Sequence, residues 1–366
     1  MNVLGIVSFR VFPTHMGGQK GVALFYQHLL HHANVLLAVS NDNQQSSTIP
    51  ISKTLFPNKK IYKNCFRKNQ LRKIAEKHKT DVIIAEHSYA GWIAWITSKA
   101  IQKPFVIHSH NIESKRFHQM HVWWWTFYKW YEGWIHRKAH HNFFISEEDL
   151  SFAVNNFKLD IAKCSVITYG VEEATRYVNK ANLRKKLDLE EDTFILLFNG
   201  TLDYTPNSKA VLTLVEKIEP LLRERITKFQ ILITGNRARK QLIDKMLTNK
   251  NVLYLGYVND INAYYQAADL FVNPVSNDTG IKTKLVEAIA NNCTAVSTES
   301  GASGIKKDLC GKKLVTVDDE DWNSFVNKIV EHKKNNTLTP KAFYEFYSWK
   351  NVTAKAIEKL KELVSK

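Results

Sequence analysis

Apolar residues along this chain fall into short, nearly unbroken runs separated by longer stretches with helical spacing. Val3 to Phe9 is such a run, and its lack of polar alternation predicts a buried parallel strand. A glycine turn at Gly17-Gly18, a helix over Val22 to His31 and a strand over Asn34 to Ser40 are expected next. Asp81 to Glu86 and Phe105 to His108 read as further strands, each introduced by a helix. Trp123 to Lys138 is an aromatic, basic helical segment, and Asn142 to Ser146 a short strand. Ser146 followed by Glu147-Glu148-Asp149 predicts a helix N-cap. The pattern then restarts. Strands are expected at Val166–Thr168, Phe194–Asn199, Phe229–Thr234, Val252–Leu255, Leu270–Asn273 and Thr294–Ser297. Between them, helices are expected over Ala210–Arg223, Ile261–Ala268 and Lys282–Ala290, after a polar linker over Glu172–Asp192. The chain closes with an amphipathic helix, Val352–Leu363, entered through Phe346-Tyr347-Ser348-Trp349. Strand–helix alternation twice over predicts an α/β protein with two open parallel sheets, and 366 residues suit two domains.

Composition narrows the classes. The hydrophobic fraction of 44% and charged fraction of 23% are those of a globular protein. No stretch approaches the roughly 18 apolar residues that would span a bilayer. Met1 to Val7 lacks a basic leader and a small-residue cleavage site, so it is expected to be a first strand and not a signal peptide. The four cysteines (Cys65, Cys164, Cys293 and Cys310) include no CxxC pair, which argues against zinc or a disulfide framework and for a reducing cytoplasm. A formal charge of +16 attracts nucleic acid, anionic lipid or phosphorylated ligands. The charge is spread along the chain in short runs such as Lys59-Lys60 and Arg184-Lys185-Lys186. That favours a membrane surface and an anionic substrate over nucleic acid.

Ligands of open α/β sheets sit beyond the carboxyl ends of the strands. Gly17-Gly18-Gln19-Lys20-Gly21 follows the first strand, where glycines let backbone N–H groups approach a phosphate. The spacing is not GxGxxG, and an ordinary turn fits it equally well. In Asp278 to Ala288, Gly280 is expected to open a helix that carries Glu287 seven residues on. That is a rise of about 10 Å, the scale of a nucleoside diphosphate laid along a helix. Lys282, Lys284 and the helix N-terminus then suit the phosphates, and Glu287 the ribose hydroxyls. A surface helix with ordinary charges is the alternative, disfavoured by the apolar neighbours of Glu287. His108-Ser109-His110-Asn111-Ile112-Glu113 follows another strand and offers histidines to a substrate hydroxyl or phosphate. A satisfied loop histidine remains open, and a metal site lacks supporting carboxylates. Trp123-Trp124-Trp125, Trp130, Tyr131 and Trp134, interleaved with Lys129, Arg137 and Lys138, suit a lipid surface and a hydrophobic core equally.

Together these residues resemble glycosyltransferase family 4, the retaining enzymes of the GT-B fold, over essentially the whole chain. Gly17-Gly18 matches the family's N-terminal glycine loop, and His110 to Glu113 an HNxE form found in some members. Ala139 to Asp149 looks like the segment ending in its "SeeD" motif. Gly200-Thr201-Leu202-Asp203-Tyr204-Thr205-Pro206-Asn207 resembles the opening of the donor-binding domain, and Ala268 to Ala288 the signature region. There are two departures. Of the two signature glutamates only the second, Glu287, is present; Thr279 stands in place of the first, as in members with a GxKxK-type sequence. An arginine and a lysine held early in the donor domain by many members are matched by Thr201 and Asn207, so Lys282 and Lys284 are expected to supply that charge.

The resemblance implies two facing Rossmann-like domains. The acceptor-side domain is expected over 1–170 plus 350–366, its last helix crossing back to it, and the donor-binding domain over 171–349. It implies transfer of a sugar from a nucleoside diphosphate to an acceptor hydroxyl with retention, without a metal or other cofactor. His110, Lys282 and Lys284 are the expected catalytic groups. Gly17, Gly18, Gly200, Thr279, Gly280 and Glu287 are expected to bind the donor. Glu86 and Glu113 are placed on the acceptor side, in a cleft that involves Arg10, His87 and Tyr89. The expected partners are a nucleotide sugar and a glycan or lipid-linked acceptor, as in cell-surface polysaccharide synthesis, with peripheral contact at the inner face of the membrane and no nucleic acid. Three alternatives stay open: a GT-B epimerase, whose carboxylates could only be Glu86 and Glu113; a non-catalytic sugar-nucleotide binder, suggested by Thr279; and a nucleic-acid binder, suggested by charge alone.

Overall fold

The computed structural model describes residues 1–366 except 15, 174–179, 277–279, 336 and 366. The chain divides into two compact units: Met1–Gly170 with Tyr347–Lys366, and Val171–Phe346. The return to the first unit begins at Tyr347 and not at 350.

The first unit is built on seven parallel strands: β1 (Asn2–Val7), β2 (Asn34–Ser40), β3 (Ile51–Leu55), β4 (Val82–Glu86), β5 (Phe105–Ser109), β6 (His141–Phe144) and β7 (Cys164–Val166). Their order is β3-β2-β1-β4-β5-β6-β7. The helices are α1 (Gly17–Leu29), α2 (Lys68–Lys77), α3 (Gly91–Ile101), α4 (Glu113–Gln119), α5 (Trp125–Lys138) and α6 (Glu147–Phe157). Ser146 caps α6, its hydroxyl accepting from Asp149 N at 3.1 Å.

The second unit repeats the scheme with six parallel strands: β8 (Phe194–Asn199), β9 (Phe229–Thr234), β10 (Val252–Gly256), β11 (Leu270–Asn273), β12 (Thr294–Thr298) and β13 (Leu314–Val317). They are ordered β10-β9-β8-β11-β12-β13. After α7 (Lys180–Lys186), α8 (Thr205–Thr213) passes through a π-helical turn, Leu214–Ile218, into α9 (Glu219–Arg223). Pro220 has no N–H to donate, and the widened turn lies just before it. The remaining helices are α10 (Lys240–Leu247), α11 (Ile261–Ala267), α12 (Thr283–Ala290), α13 (Lys307–Cys310), α14 (Trp322–Glu331) and α15 (Lys341–Tyr347). The last, α16 (Trp349–Val364), belongs to the first unit.

In each sheet the strand order reverses once, between β1 and β4 and between β8 and β11. The crevice beyond the carboxyl ends of those strands is where such sheets bind ligands. The loops that leave β1, β4, β8 and β11 therefore carry the candidate residues.

The structure corrects several predicted boundaries. The strands β3 and β13 were not expected; both lie at a sheet edge, β3 with polar Ser52 and Lys53 in its middle and β13 only four residues long. Gly17 and Gly18 are the first residues of α1 and not a turn ahead of it, because Gln19 Oε1 accepts from Met16 N at 3.1 Å and closes the helix start. Gly280 precedes α12 in a turn with φ +79° and does not open the helix. Among the described residues no helix is long and apolar enough to cross a membrane.

The returning helix is fastened by Trp349. Its indole is buried and packs so closely over Gly170 that a Cβ there would lie 2.3 Å from the ring. Tyr169 meets the same ring edge-on at 5.4 Å, and His28 of α1 stacks near it at 6.1 Å. Replacing Trp349 by Ala is expected to lower unfolding stability by roughly 3–5 kcal/mol, the range for emptying a large aromatic site. Urea denaturation checks this; a loss below about 1 kcal/mol would mean that α16 is not held by this contact.

Candidate active site

In the first unit the site grows from the ends of β4 and β5. Glu86, the last residue of β4, pairs in register with His108 on β5, so both side chains emerge on one side of the sheet. The Glu86 carboxylate is fully buried. His108 Nδ1 lies 3.3 Å from one oxygen, and His110 Nε2 lies 2.5 Å from the other. Burial pushes the Glu86 pKa up, but His108 and His110 outweigh it and hold the carboxyl below its usual range. Burial and the neighbouring His108 press His110 down to about 4, against the pull of Glu86. At neutral pH His110 is therefore a neutral ring. With Nε2–H donated to Glu86, its Nδ1 is an acceptor for a hydroxyl.

His87 follows Glu86 with φ 59° and ψ 162°, a backbone region left almost entirely to glycine. The twist stacks its ring on His110 at 4.7 Å and brings Nδ1 to 3.1 Å from Glu113. Glu113 opens α4 and is buried. It accepts from the Tyr89 hydroxyl at 2.5 Å and pairs with Arg116 at 2.7 Å. Burial works to raise its pKa, but His87 and then Arg116 outweigh it and bring it to about 2. Glu86 and Glu113 are thus engaged anchors and not open general bases.

Two residues that sequence reasoning passed over hold this region in place. Glu132 of α5 is buried and accepts the first two N–H groups of α4, Glu113 N and Ser114 N, each at 2.9 Å. The Ser88 hydroxyl adds a third bond at 3.1 Å. Its position four residues from Tyr128 on an apolar helix was a visible signal, but its target on α4 was not. Asn43 ties down the loop after β1. Its Oδ1 accepts from Val11 N at 2.7 Å and Phe12 N at 2.9 Å, and its Nδ2 donates to the carbonyl of Phe9 at 3.2 Å. In the same unit Gly17 and Gly18 are exposed at the start of α1, and a Cβ on Gly18 would meet nothing within 4 Å. Gln19 Nε2 braces the turn on Arg10 O at 2.9 Å.

The second unit assembles a separate cradle at the ends of β8 and β11. Gly200 follows β8, and a Cβ there would lie 2.7 Å from the Asn207 side chain. Gly235, with φ +147°, packs against it so tightly that a Cβ would sit 1.8 Å from Gly200 O. Asn207 donates to Thr201 O at 3.0 Å and accepts from Lys284 Nζ at 2.9 Å. That ammonium also lies 4.2 Å over the Phe198 ring. Lys284 from α12 thus reaches the Gly200 loop. Lys282 does not; its side chain is largely buried and folds back on Gly280 O at 2.7 Å. The two lysines thus make different contacts. Glu287, half-buried on α12, neighbours the buried Tyr265, whose pKa is raised by burial and then by the Glu287 charge. Tyr265 donates to Lys284 O at 3.1 Å. Thr279 lies outside the described residues.

The tryptophan-rich segment divides. Tyr131 and Trp134 pack against the core of the first unit. Trp123, Phe127 and Trp130 are exposed at 83%, 73% and 70%; Phe127 and Trp130 lie three residues apart on α5, and Trp123 just precedes that helix.

Comparison with known proteins decides the family. The family described as "Glycosyltransferase Family 4" matches residues 28–175, and "Glycosyl transferases group 1" matches residues 193–335. This chain belongs to glycosyltransferase family 4. The glycosyltransferase is 25% identical over 326 residues to the UDP-Gal:alpha-D-GlcNAc-diphosphoundecaprenol alpha-1,3-galactosyltransferase of Escherichia coli, covering 85% of this chain and 81% of that one. Solved structures share its fold. Sucrose-phosphate synthase from Thermosynechococcus elongatus superposes with a TM-score of 0.78 at 16% identity, over 100% of both chains. HepE from Anabaena, solved with UDP and glucose, gives 0.75 at 16% identity over 98% of this chain and 99% of its own. The two Rossmann-like units are those of the GT-B fold.

The Glu132 cap of this glycosyltransferase makes a pH prediction. Burial lifts its carboxyl from 4.5 to about 7, more than the Ser114 and Glu113 N–H bonds lower it. Between those values the unfolded chain has lost this proton while the folded chain keeps it, so its contribution to stability falls as pH rises. Wild type is expected to lose roughly 3 kcal/mol relative to Glu132→Gln between pH 4.5 and 7. Denaturant unfolding of both proteins across that range measures the difference; parallel curves would refute the shifted carboxyl.

Proposed function

We propose that this enzyme transfers a sugar from a nucleoside-diphosphate sugar to a hydroxyl of a glycan or lipid-linked acceptor, with retention and without a metal. The observation that carries the donor assignment is Lys284. It reaches Asn207, one of the two positions where many family members hold a cation, so the charge comes from α12 instead of α8. In this reading the Lys284 ammonium and the backbone at Gly280 stabilise the departing diphosphate, and Glu287 anchors the ribose. Lys282, folded on Gly280 O, shapes the turn ahead of α12.

On the acceptor side, neutral His110 accepts a hydroxyl of the transferring sugar and fixes its orientation. Glu86 sets its tautomer, and His87 buttresses the ring. The departing phosphate takes the acceptor proton on the face it leaves, which yields retention without a protein nucleophile. Glu86, His108 and His110 lie close enough together to suggest a metal triad. The ring nitrogens that face Glu86, His108 Nδ1 and His110 Nε2, are however already engaged with its two oxygens. Engagement of Glu86 and Glu113 also speaks against an epimerase, which needs carboxylates poised to exchange protons.

The acceptor reading draws on the Escherichia coli relative, whose name specifies a diphosphoundecaprenol-linked substrate. The exposed rings of Trp123, Phe127 and Trp130 suit a membrane surface, where such an acceptor resides. UDP-sugars are the first donors to test, given the uridine nucleotides named for that relative and for HepE.

Two outcomes are expected. A nucleoside diphosphate at about 100 times its dissociation constant should add about 2.7 kcal/mol to stability, and Glu287→Ala should remove that gain. Thermal unfolding with UDP, GDP, ADP and CMP reads it; no response to any of them would sink the donor site. Lys284→Met is expected to lower kcat by about 100- to 1000-fold with a smaller change in KM, as for lost transition-state charge stabilisation. Radiolabelled sugar transfer measures this, and a changed KM with unchanged kcat would assign Lys284 to ground-state binding only.

A further inference from the structure

The first unit encloses another cleft, of about 1080 Å³, at the amino ends of β5, β6 and β7. In a parallel sheet this is the edge opposite the histidine cluster. Its walls come from the end of α3, the end of α5 and the returning helix α16. The lining is basic. Lys99, Lys103, Lys138 and Lys163 contribute, with Arg137 and Lys359, against a single carboxylate, Glu362. Arg137 is engaged with Phe157 O at 2.8 Å, and Lys359 with Glu362 at 3.0 Å. Among the described residues the other four lysines have no ion-pair partner. Elsewhere surface lysines do find one, as Lys245 does in Glu216 at 2.8 Å and Lys328 in Glu331 at 2.7 Å.

Helix ends explain part of this charge. Lys99 and Lys138 lie in the last turns of α3 and α5, where cations offset the helix dipole. That account does not cover Lys103, which precedes β5, or Lys163, in the short turn before β7. These charges share one space. Burial lowers the pKa of His140 in the same lining, and the charges of Lys163 and Lys99 lower it further. His140 Nδ1 accepts from Phe105 N at 3.2 Å, so the neutral ring carries its proton on Nε2 and adds a donor.

The geometry points to a binding site in this cleft for a ligand bearing several phosphate oxyanions, separate from the donor cradle. Flexible ammonium groups meet phosphate as point charges and do not demand the planar, bidentate fit of a carboxylate–arginine pair. The volume is on the scale of small-molecule sites, about 300–1000 Å³, and too large for one free phosphate. The same chemistry occurs in a soluble oligophosphate and in the phosphodiester headgroups of a membrane.

The test uses the full chain and the variant Lys99→Ala/Lys103→Ala/Lys138→Ala/Lys163→Ala, whose sites are all exposed. Sodium tripolyphosphate is titrated by calorimetry, and vesicles of phosphatidylcholine, with or without phosphatidylglycerol, are co-sedimented. Wild type is expected to bind tripolyphosphate, the fourfold variant at least roughly tenfold more weakly, and Lys284→Met like wild type at this cleft. Binding confined to phosphatidylglycerol vesicles, and lost in the fourfold variant, assigns the phosphates to lipid headgroups. Equal binding by wild type and the fourfold variant, or no binding of either probe by wild type, overturns the proposal. An unchanged UDP-induced melting shift in the fourfold variant separates this result from the donor reading.

Discussion

A parallel sheet must be covered by helices on both faces, and the rest of this chain is arranged around that requirement. Once β1, β4 and β5, or β8 and β11, are enclosed, only the strand ends remain open to ligands. A polar group that enters the interior at those ends must find its partner there. Glu86 is the clearest case. It lies at the last position of a fully buried strand, and only the register that sets it beside His108 makes its burial tolerable.

Three buried carboxylates of the first unit meet that demand in different ways. Glu86 and Glu113 are held ionised by imidazoles and, for Glu113, by a guanidinium as well. Glu132 is offered backbone N–H dipoles and a hydroxyl, which do not offset its burial. The difference follows from partner type: the imidazoles and the guanidinium compensate desolvation more fully than a few dipoles do. One result is a neutral His110 with an acceptor nitrogen beside the strained His87. Another is a start of α4 whose electrostatic support changes near neutral pH.

In the second unit a charge reaches the Gly200 loop from another helix. The family resemblance matches Thr201 and Asn207 to positions where many members carry cations. The space beside Asn207 is occupied by an ammonium arriving from α12. The close approach of Gly235 to Gly200 O keeps that loop compact, and the aromatic face of Phe198 helps hold the charge.

Apolar runs and their spacing were sufficient to locate the central strands, the two-sheet plan and the strand ends at which candidate residues gather. These are local consequences of burial, which a period of two or of 3.6 reports directly. The edge strand β3 was missed because polar Ser52, Lys53 and Thr54 interrupt that signal, and β13 because it is a four-residue run flanked by charged residues. Arg184 looked like part of a solvated basic run, yet it is buried and binds Asp269 at 3.0 Å, a partner far away in sequence. The tryptophan-rich segment was equally ambiguous until α5 turned Trp134 toward the core and Trp130 toward solvent. Likewise the sequence named His110, Glu86, Lys282 and Lys284, but not that the first two would share a hydrogen bond or that the lysines would take different partners. Pairings between distant residues depend on strand register and helix placement. Those are set by the packing of the whole core, and only the tertiary structure decided them.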